Sequence, residues 1–141
     1  MKTLKSILTG FVLLFICISA SAITKPTTGK LTRDEVVKIY IDATTSGNVS
    51  KLEDVLSDDL QFYLQRGDYV HTLDKNQLTD YLKNNTTPDP SVKTTATVMR
   101  EDDNSSVIKL EFKYDGYSRT DEVTLNKTSA WIITNVACVF M

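Results

Sequence analysis

Cysteine, histidine and concentrated positive charge are what this chain has least of. Its 141 residues include two cysteines, one histidine and three prolines. Cys17 lies in the leading apolar segment and Cys138 stands alone in the remainder, so no disulfide is expected within the processed chain and the core has to supply its stability. Cys138, inside Val136-Ala137-Cys138-Val139-Phe140, reads as a small buried hydrophobe. A metal centre needs several His, Cys or carboxylate ligands at matched spacing, and a lone His71 does not supply them. No metal and no cofactor is therefore expected. Phosphate-cradling loops, nucleophile elbows and Cys-His pairs are missing as well. Sixteen Lys and Arg oppose 18 Asp and Glu, and the cations are scattered. That excludes nucleic acid as an expected partner, because phosphate binding rests on clustered positive charge.

The chain opens with an export signal. Lys2 and Lys5 precede an apolar run from Ile7 to Ile18, and Ala20-Ser21-Ala22 forms a small-x-small cleavage site. The run is shorter than the roughly 20 apolar residues that span a bilayer. Residues 1–22 are accordingly expected to be a cleaved signal peptide, with a periplasmic or secreted destination and no membrane attachment afterwards. Removing 22 of 141 residues leaves 119, with 14 basic against 18 acidic side chains and a net charge of −4. Residues 23–30 form a polar, flexible lead, and 31–141 a single domain.

Three helix starts follow. Thr32-Arg33-Asp34-Glu35 spells a capping box, Ser50-Lys51-Leu52-Glu53 a second, and Asp74-Lys75-Asn76-Gln77 a third. The first helix carries Val36, Val37, Tyr40, Ile41 and Thr44, with Gly47 at its left-handed end. Leu60, Phe62 and Leu64 alternate with Gln61, Tyr63 and Gln65, which is strand spacing, and 69–73 forms a second, shorter strand. Beyond Pro90 the period is two throughout, predicting strands over 92–101, 107–114, 117–127 and 131–140. Asp115-Gly116 predicts a two-residue type I′ hairpin turn.

The predicted class is α+β: three helices packed on a curved mixed or antiparallel sheet of about six strands, shaped as a cone with an opening. Pairing across Asp115-Gly116 sets Tyr114 opposite Tyr117, Phe112 opposite Arg119 and Leu110 opposite Asp121. Cross-strand partners share a face, so Arg119 and Asp121 look into the cone beside apolar residues. Buried charge is costly unless paired, and such a local conflict in a consistent pattern marks a candidate site. The expected ligand-binding set is Tyr40, Phe62, Phe112, Tyr114, Arg119, Asp121 and Trp131. Asp121 and His71 are the candidate proton-transfer residues.

Val37-Lys38-Ile39-Tyr40, Ser46-Gly47-Asn48-Val49, Leu56-Ser57-Asp58-Asp59-Leu60 and the tail from Asp121-Glu122-Val123 to Trp131-Ile132-Ile133-Thr134-Asn135 together resemble the nuclear transport factor 2-like superfamily. This superfamily also holds ketosteroid isomerase and the SnoaL-like cyclases. The tail is most similar to the exported branch labelled lumazine-binding. The resemblance implies the cone fold over Leu31 to Phe140. It also implies that Tyr40 falls where the isomerase keeps its oxyanion tyrosine, that the isomerase's general base maps near Leu64, and that its second oxyanion acid maps near Glu122 or Asp121. Leu64 cannot take a proton, which argues against that chemistry. The expected function is binding of a small polar or aromatic molecule in the cone pocket without catalysis. The alternatives are a cofactor-independent dehydratase or isomerase using Asp121 with Arg119, Tyr40 or His71, and a protein-interaction module. Homodimerisation through the sheet accompanies the first reading.

Overall fold

A computed structural model describes residues 30–141. The segment expected to be an export signal and nearly all of the expected lead lie outside the described residues. From there the chain runs α1 (Arg33–Ser46), α2 (Leu52–Val55), β1 (Leu56–Arg66), β2 (Tyr69–Leu73), α3 (Lys75–Asn85), β3 (Lys93–Glu101), β4 (Ser105–Lys113), β5 (Ser118–Lys127) and β6 (Trp131–Phe140).

Two of the three capping boxes form. The Thr32 hydroxyl accepts from the Glu35 amide while the Glu35 carboxylate accepts from the Thr32 amide, and Asp74 and Gln77 do the same for α3. The second box does not form. Lys51, not Ser50, occupies the N-cap of the one-turn α2, in helical φ/ψ and with no side-chain cap. This leaves Ser50 one residue outside the turn, where its hydroxyl donates to Asn48 Oδ1. Gly47 takes the left-handed position, φ 75°, and ends α1 through its N–H to the Ala43 carbonyl.

The sheet is mixed, in the order β2-β1-β6-β5-β4-β3. Only the β1–β6 pair is parallel; the other four are antiparallel. β1 begins at Leu56 rather than Leu60, because Leu56 pairs with Ile133 ahead of a bulge that ends at Gln61. Tertiary pairing thus overrides the weak strand propensity of Ser57-Asp58-Asp59. The β4–β5 register is the one the turn predicts, with Phe112 opposite Arg119, Leu110 opposite Asp121 and Ile108 opposite Val123. The turn itself differs. Gly116 has φ 84° and no non-glycine residue among the described residues has a positive φ, whereas type I′ needs positive φ at both central positions. Asp115 keeps ordinary backbone geometry, and Gly116 alone absorbs the reversal.

All three helices lie on the concave face of the sheet. Val36, Tyr40, Leu52, Val55, Leu78 and Leu82 interlock there with Phe62, Leu110, Phe112, Val123, Leu125, Ile133 and Val136. Each fully buried side chain of this size contributes about 1.5–3 kcal/mol relative to exposure. The convex face carries Gln61, Glu122 and Lys113, all exposed, and a Lys109–Glu111 ion pair at 3.3 Å. No described helix is long and apolar enough to cross a membrane.

Candidate functional site

Two periodicities converge on one end of the cone. On α1, Val36, Tyr40 and Thr44 follow one another at intervals of four, so they stack along the helix face turned to the sheet. On β5, Arg119, Asp121, Val123 and Leu125 alternate inward, and all four are buried. The Tyr40 phenol therefore meets the first two of these side chains.

The contacts form a closed triad. Arg119 donates from Nε to Asp121 Oδ1 at 2.7 Å and from Nη2 to Asp121 Oδ2 at 2.6 Å, a bidentate fork. Tyr40 donates its hydroxyl to Asp121 Oδ2 at 2.5 Å and accepts from Arg119 Nη2 at 3.3 Å. Asp121 is fully enclosed and Arg119 is 4% exposed. Burial pushes the Tyr40 phenol well above its usual range, and the Asp121 carboxylate pushes it further. Burial alone would lower the Arg119 guanidinium; the Asp121 charge, together with Tyr40 and the hydrogen bond to Asp121, more than offsets it and holds the group protonated. The Cys138 thiol, across the ladder from Asp121, is driven up by burial and stays a thiol.

Above the triad lies a cleft of about 410 Å³, a size that suits a small ligand. Its sheet wall is a row of inward-facing side chains at the open end: Arg66 on β1, Phe140 on β6 and Arg119 on β5, with Tyr114 and Tyr117 at the hairpin above them. Arg119 pairs with Phe140 across the ladder. Arg66 comes level with Phe140 one residue beyond the Gln65–Val139 pair. The Arg66 guanidinium lies 4.5 Å above the Phe140 ring centroid, and that of Arg119 lies 5.6 Å from the same ring. The Tyr114 and Tyr117 rings stack at 4.5 Å, 5° from parallel. The opposite wall comes from the helices, through Thr44, Tyr81, Asn85 and the segment 86–89. Thr44 is 3% exposed, and its hydroxyl is a buried polar atom without a hydrogen-bond partner.

The predicted site residues divide accordingly. Tyr40, Arg119 and Asp121 come together, and Tyr114 lines the cleft. Phe62 and Phe112 are fully buried and do not line it. Trp131 pairs with Lys127 at the far end of β5, about 26 Å along the strand from Arg119. His71 is exposed on the edge strand β2 and is absent from both the triad and the cleft wall. Leu64, near which the resemblance sets the isomerase base, is buried in the core, and Glu122 is exposed on the convex face. Sequence reading missed Arg66, Phe140 and the helix-side wall. Arg66 had a signal, since the alternation Leu60, Phe62, Leu64 continues to position 66 and puts a cation on the inward register. Among the described residues no group of three or more His, Cys, Asp or Glu could hold a metal ion.

Only one Arg119 nitrogen, Nη1, lacks an acceptor among the described residues. Asp121 has both oxygens occupied by three hydrogen bonds and no exposed surface. What the floor of the cleft offers is therefore a fixed donor, with the carboxylate sealed behind it.

Comparison with known proteins gives a consistent picture. A family model described as "Putative lumazine-binding" matches residues 32–137. Among solved structures, a nuclear transport factor 2-like protein of unknown function from Shewanella baltica is 16% identical over 77% of this chain and 90% of its own, with a TM-score of 0.65. Another of unknown function, from Methylobacillus flagellatus, is 19% identical over 80% of this chain and 99% of its own, with a TM-score of 0.62. A structure described as a "putative ketosteroid isomerase" from Parabacteroides distasonis is 12% identical over 83% and 93%, with a TM-score of 0.58. At these identities the likeness is one of fold. None of the curated proteins matches the chain.

Proposed function

We propose that this chain, which belongs to the lumazine-binding family of nuclear transport factor 2-like domains, binds a small planar polar molecule in the cleft at the cone mouth and releases it unchanged. One observation carries the reading. The Arg119 guanidinium is clamped on its Nε–Nη2 edge by Asp121, on a side chain that lines an aromatic-walled cleft. A donor fixed in advance gives up little conformational freedom on binding. Its charge is already neutralised, so it suits a ring carbonyl rather than demanding a full anion. Tyr114, Tyr117 and Phe140 offer apolar ring surface. A general base must reach the proton it abstracts. The enclosed and fully occupied Asp121 does not meet that requirement, which favours binding over turnover.

The experiment is a fluorescence titration of the protein with lumazine, a pteridine-2,4-dione, in parallel with the double substitution Arg119→Met, Asp121→Leu. The pair is replaced together so that no buried charge is stranded. Binding by the parent and its loss in the double variant is the expected result, with mass spectrometry recovering the ligand intact. Equal binding by both proteins would remove the cleft from the argument, and a chemically altered ligand would make the protein an enzyme.

A further inference from the structure

The row across the open end of the sheet holds two guanidiniums on one ring, and they differ in charge balance. Arg119 is neutralised by Asp121 at 2.6 Å. Arg66 makes no ion pair with any described carboxylate, although it lines the cleft and packs on Phe140. Stacking an arginine on an aromatic face leaves its in-plane N–H donors free along the guanidinium edge. The third charged side chain on the cleft wall is Asp89, on the helix side; it is held ionised by hydrogen bonds from the Ser91 hydroxyl and amide. The cleft is thus polarised, with a cation on the sheet wall and an anion on the helix wall.

We infer that Arg66 is a specificity-determining residue: the planar ligand carries an anionic substituent, carboxylate or phosphate, that lies toward β1 and pairs with the Arg66 guanidinium. This rests on the small-molecule reading above and adds the ligand's charge and its orientation. Strand geometry supports the spacing. Arg66 and Arg119 stand two strands apart on the same face, so their backbones are separated by about 10 Å. A ring whose carbonyl meets Arg119 Nη1 brings a substituent on its far side under Arg66. The Asp89 carboxylate disfavours the opposite orientation.

The probes are lumazine-6-carboxylate and its neutral isostere lumazine-6-carboxamide, titrated into the parent protein and into Arg66→Gln and Arg66→Lys. The expected result is about fivefold tighter binding of the carboxylate by the parent, a partly exposed charge pair. Arg66→Gln brings the two probes level and Arg66→Lys retains part of the preference, and the preference of the parent shrinks at high salt. Equal binding of both probes by the parent overturns the inference and leaves small-molecule binding standing. A carboxylate preference that survives Arg66→Gln also overturns it, by placing the anion elsewhere. Failure of both probes to bind removes the planar-ligand reading and the inference with it.

Discussion

Asp121→Asn is the most direct probe of the buried triad. The substitution keeps the shape of the side chain and removes its charge, leaving the Arg119 guanidinium 4% exposed with no counter-ion. The Tyr40 hydroxyl then donates to a neutral oxygen. Breaking a buried pair by removing one partner costs about 3–5 kcal/mol, because an uncompensated charge stays behind. For a domain whose total stability is of order 5–15 kcal/mol, that is a fifth or more of the margin. At about 4 °C per kcal/mol for this size, Tm should fall by about 12–20 °C. The assay is urea denaturation followed by far-UV circular dichroism and by the fluorescence of Trp131, the single tryptophan. The midpoint should fall while the slope with denaturant stays constant. Tyr40→Phe, which removes the hydroxyl that donates to Asp121 and accepts from Arg119 but strands no charge, should cost about 1.5–3 kcal/mol. A loss below about 1 kcal/mol for Asp121→Asn would refute the argument, since it would mean that the guanidinium finds water. Such a result would also undercut the claim that Arg119 is fixed before a ligand arrives.

The double replacement Arg119→Met, Asp121→Leu should leave stability unchanged or raised by about 1–4 kcal/mol, read from the same urea curves; a loss as large as that of Asp121→Asn alone would show that the pair itself holds the fold. Raising pH should destabilise the domain from about 8.5 upward. Tyr40 and Cys138 both have raised values when folded, so the unfolded chain releases their protons first, and their contribution, complete below the unfolded values, is lost above them. The slope approaches about 1.4 kcal/mol per pH unit for each proton retained by the folded protein alone, and a urea midpoint flat between neutrality and pH 10.5 would contradict it. Thr32→Ala and Asp74→Ala should each cost about 1 kcal/mol through lost caps, whereas Ser50→Ala, at a box that does not form, should cost distinctly less. Gly47→Ala should cost about 1–2 kcal/mol in left-handed strain, and more if Thr86 does not yield, since the new Cβ would stand 3.2 Å from its carbonyl oxygen.

The fold was legible wherever a local rule decided it. Alternation along β4 and the Asp115-Gly116 reversal were enough to set the register that brings Arg119 and Asp121 inward, and the charge-in-core conflict marked them. The i, i+4 stripe on α1 pointed Tyr40 the same way. What stayed hidden depends on distant chain segments meeting. The start of β1 is decided by Leu56 finding Ile133, a partner 77 positions away. Ser50-Lys51-Leu52-Glu53 has the letters of a cap, but the helix behind it is one turn long, and box chemistry has no say in where that turn begins. The helix-side wall of the cleft comes from a polar stretch after α3 with no periodicity to read. Phe62, Phe112 and Trp131 show the converse limit. Aromatic identity and an inward or half-buried position do not tell a core residue from a pocket residue, because that depends on how far along the cone axis each one falls.

That helix-side wall has a consequence for how such a domain can change. The segment 86–89 returns from α3 across the end of α1, where the Asp89 amide donates to the Thr45 carbonyl at 3.4 Å and Thr86 rests against Gly47. Pro88 and Pro90 stiffen it. It contributes to no strand of the sheet and to no member of the triad. The cleft is therefore assembled from two parts under different constraints: a ladder whose buried ions, Arg119 and Asp121, have to change together, and a short strap free of that coupling. Descendants of one sheet could acquire new ligands by rewriting the strap alone, as a lock is rekeyed without recasting its body.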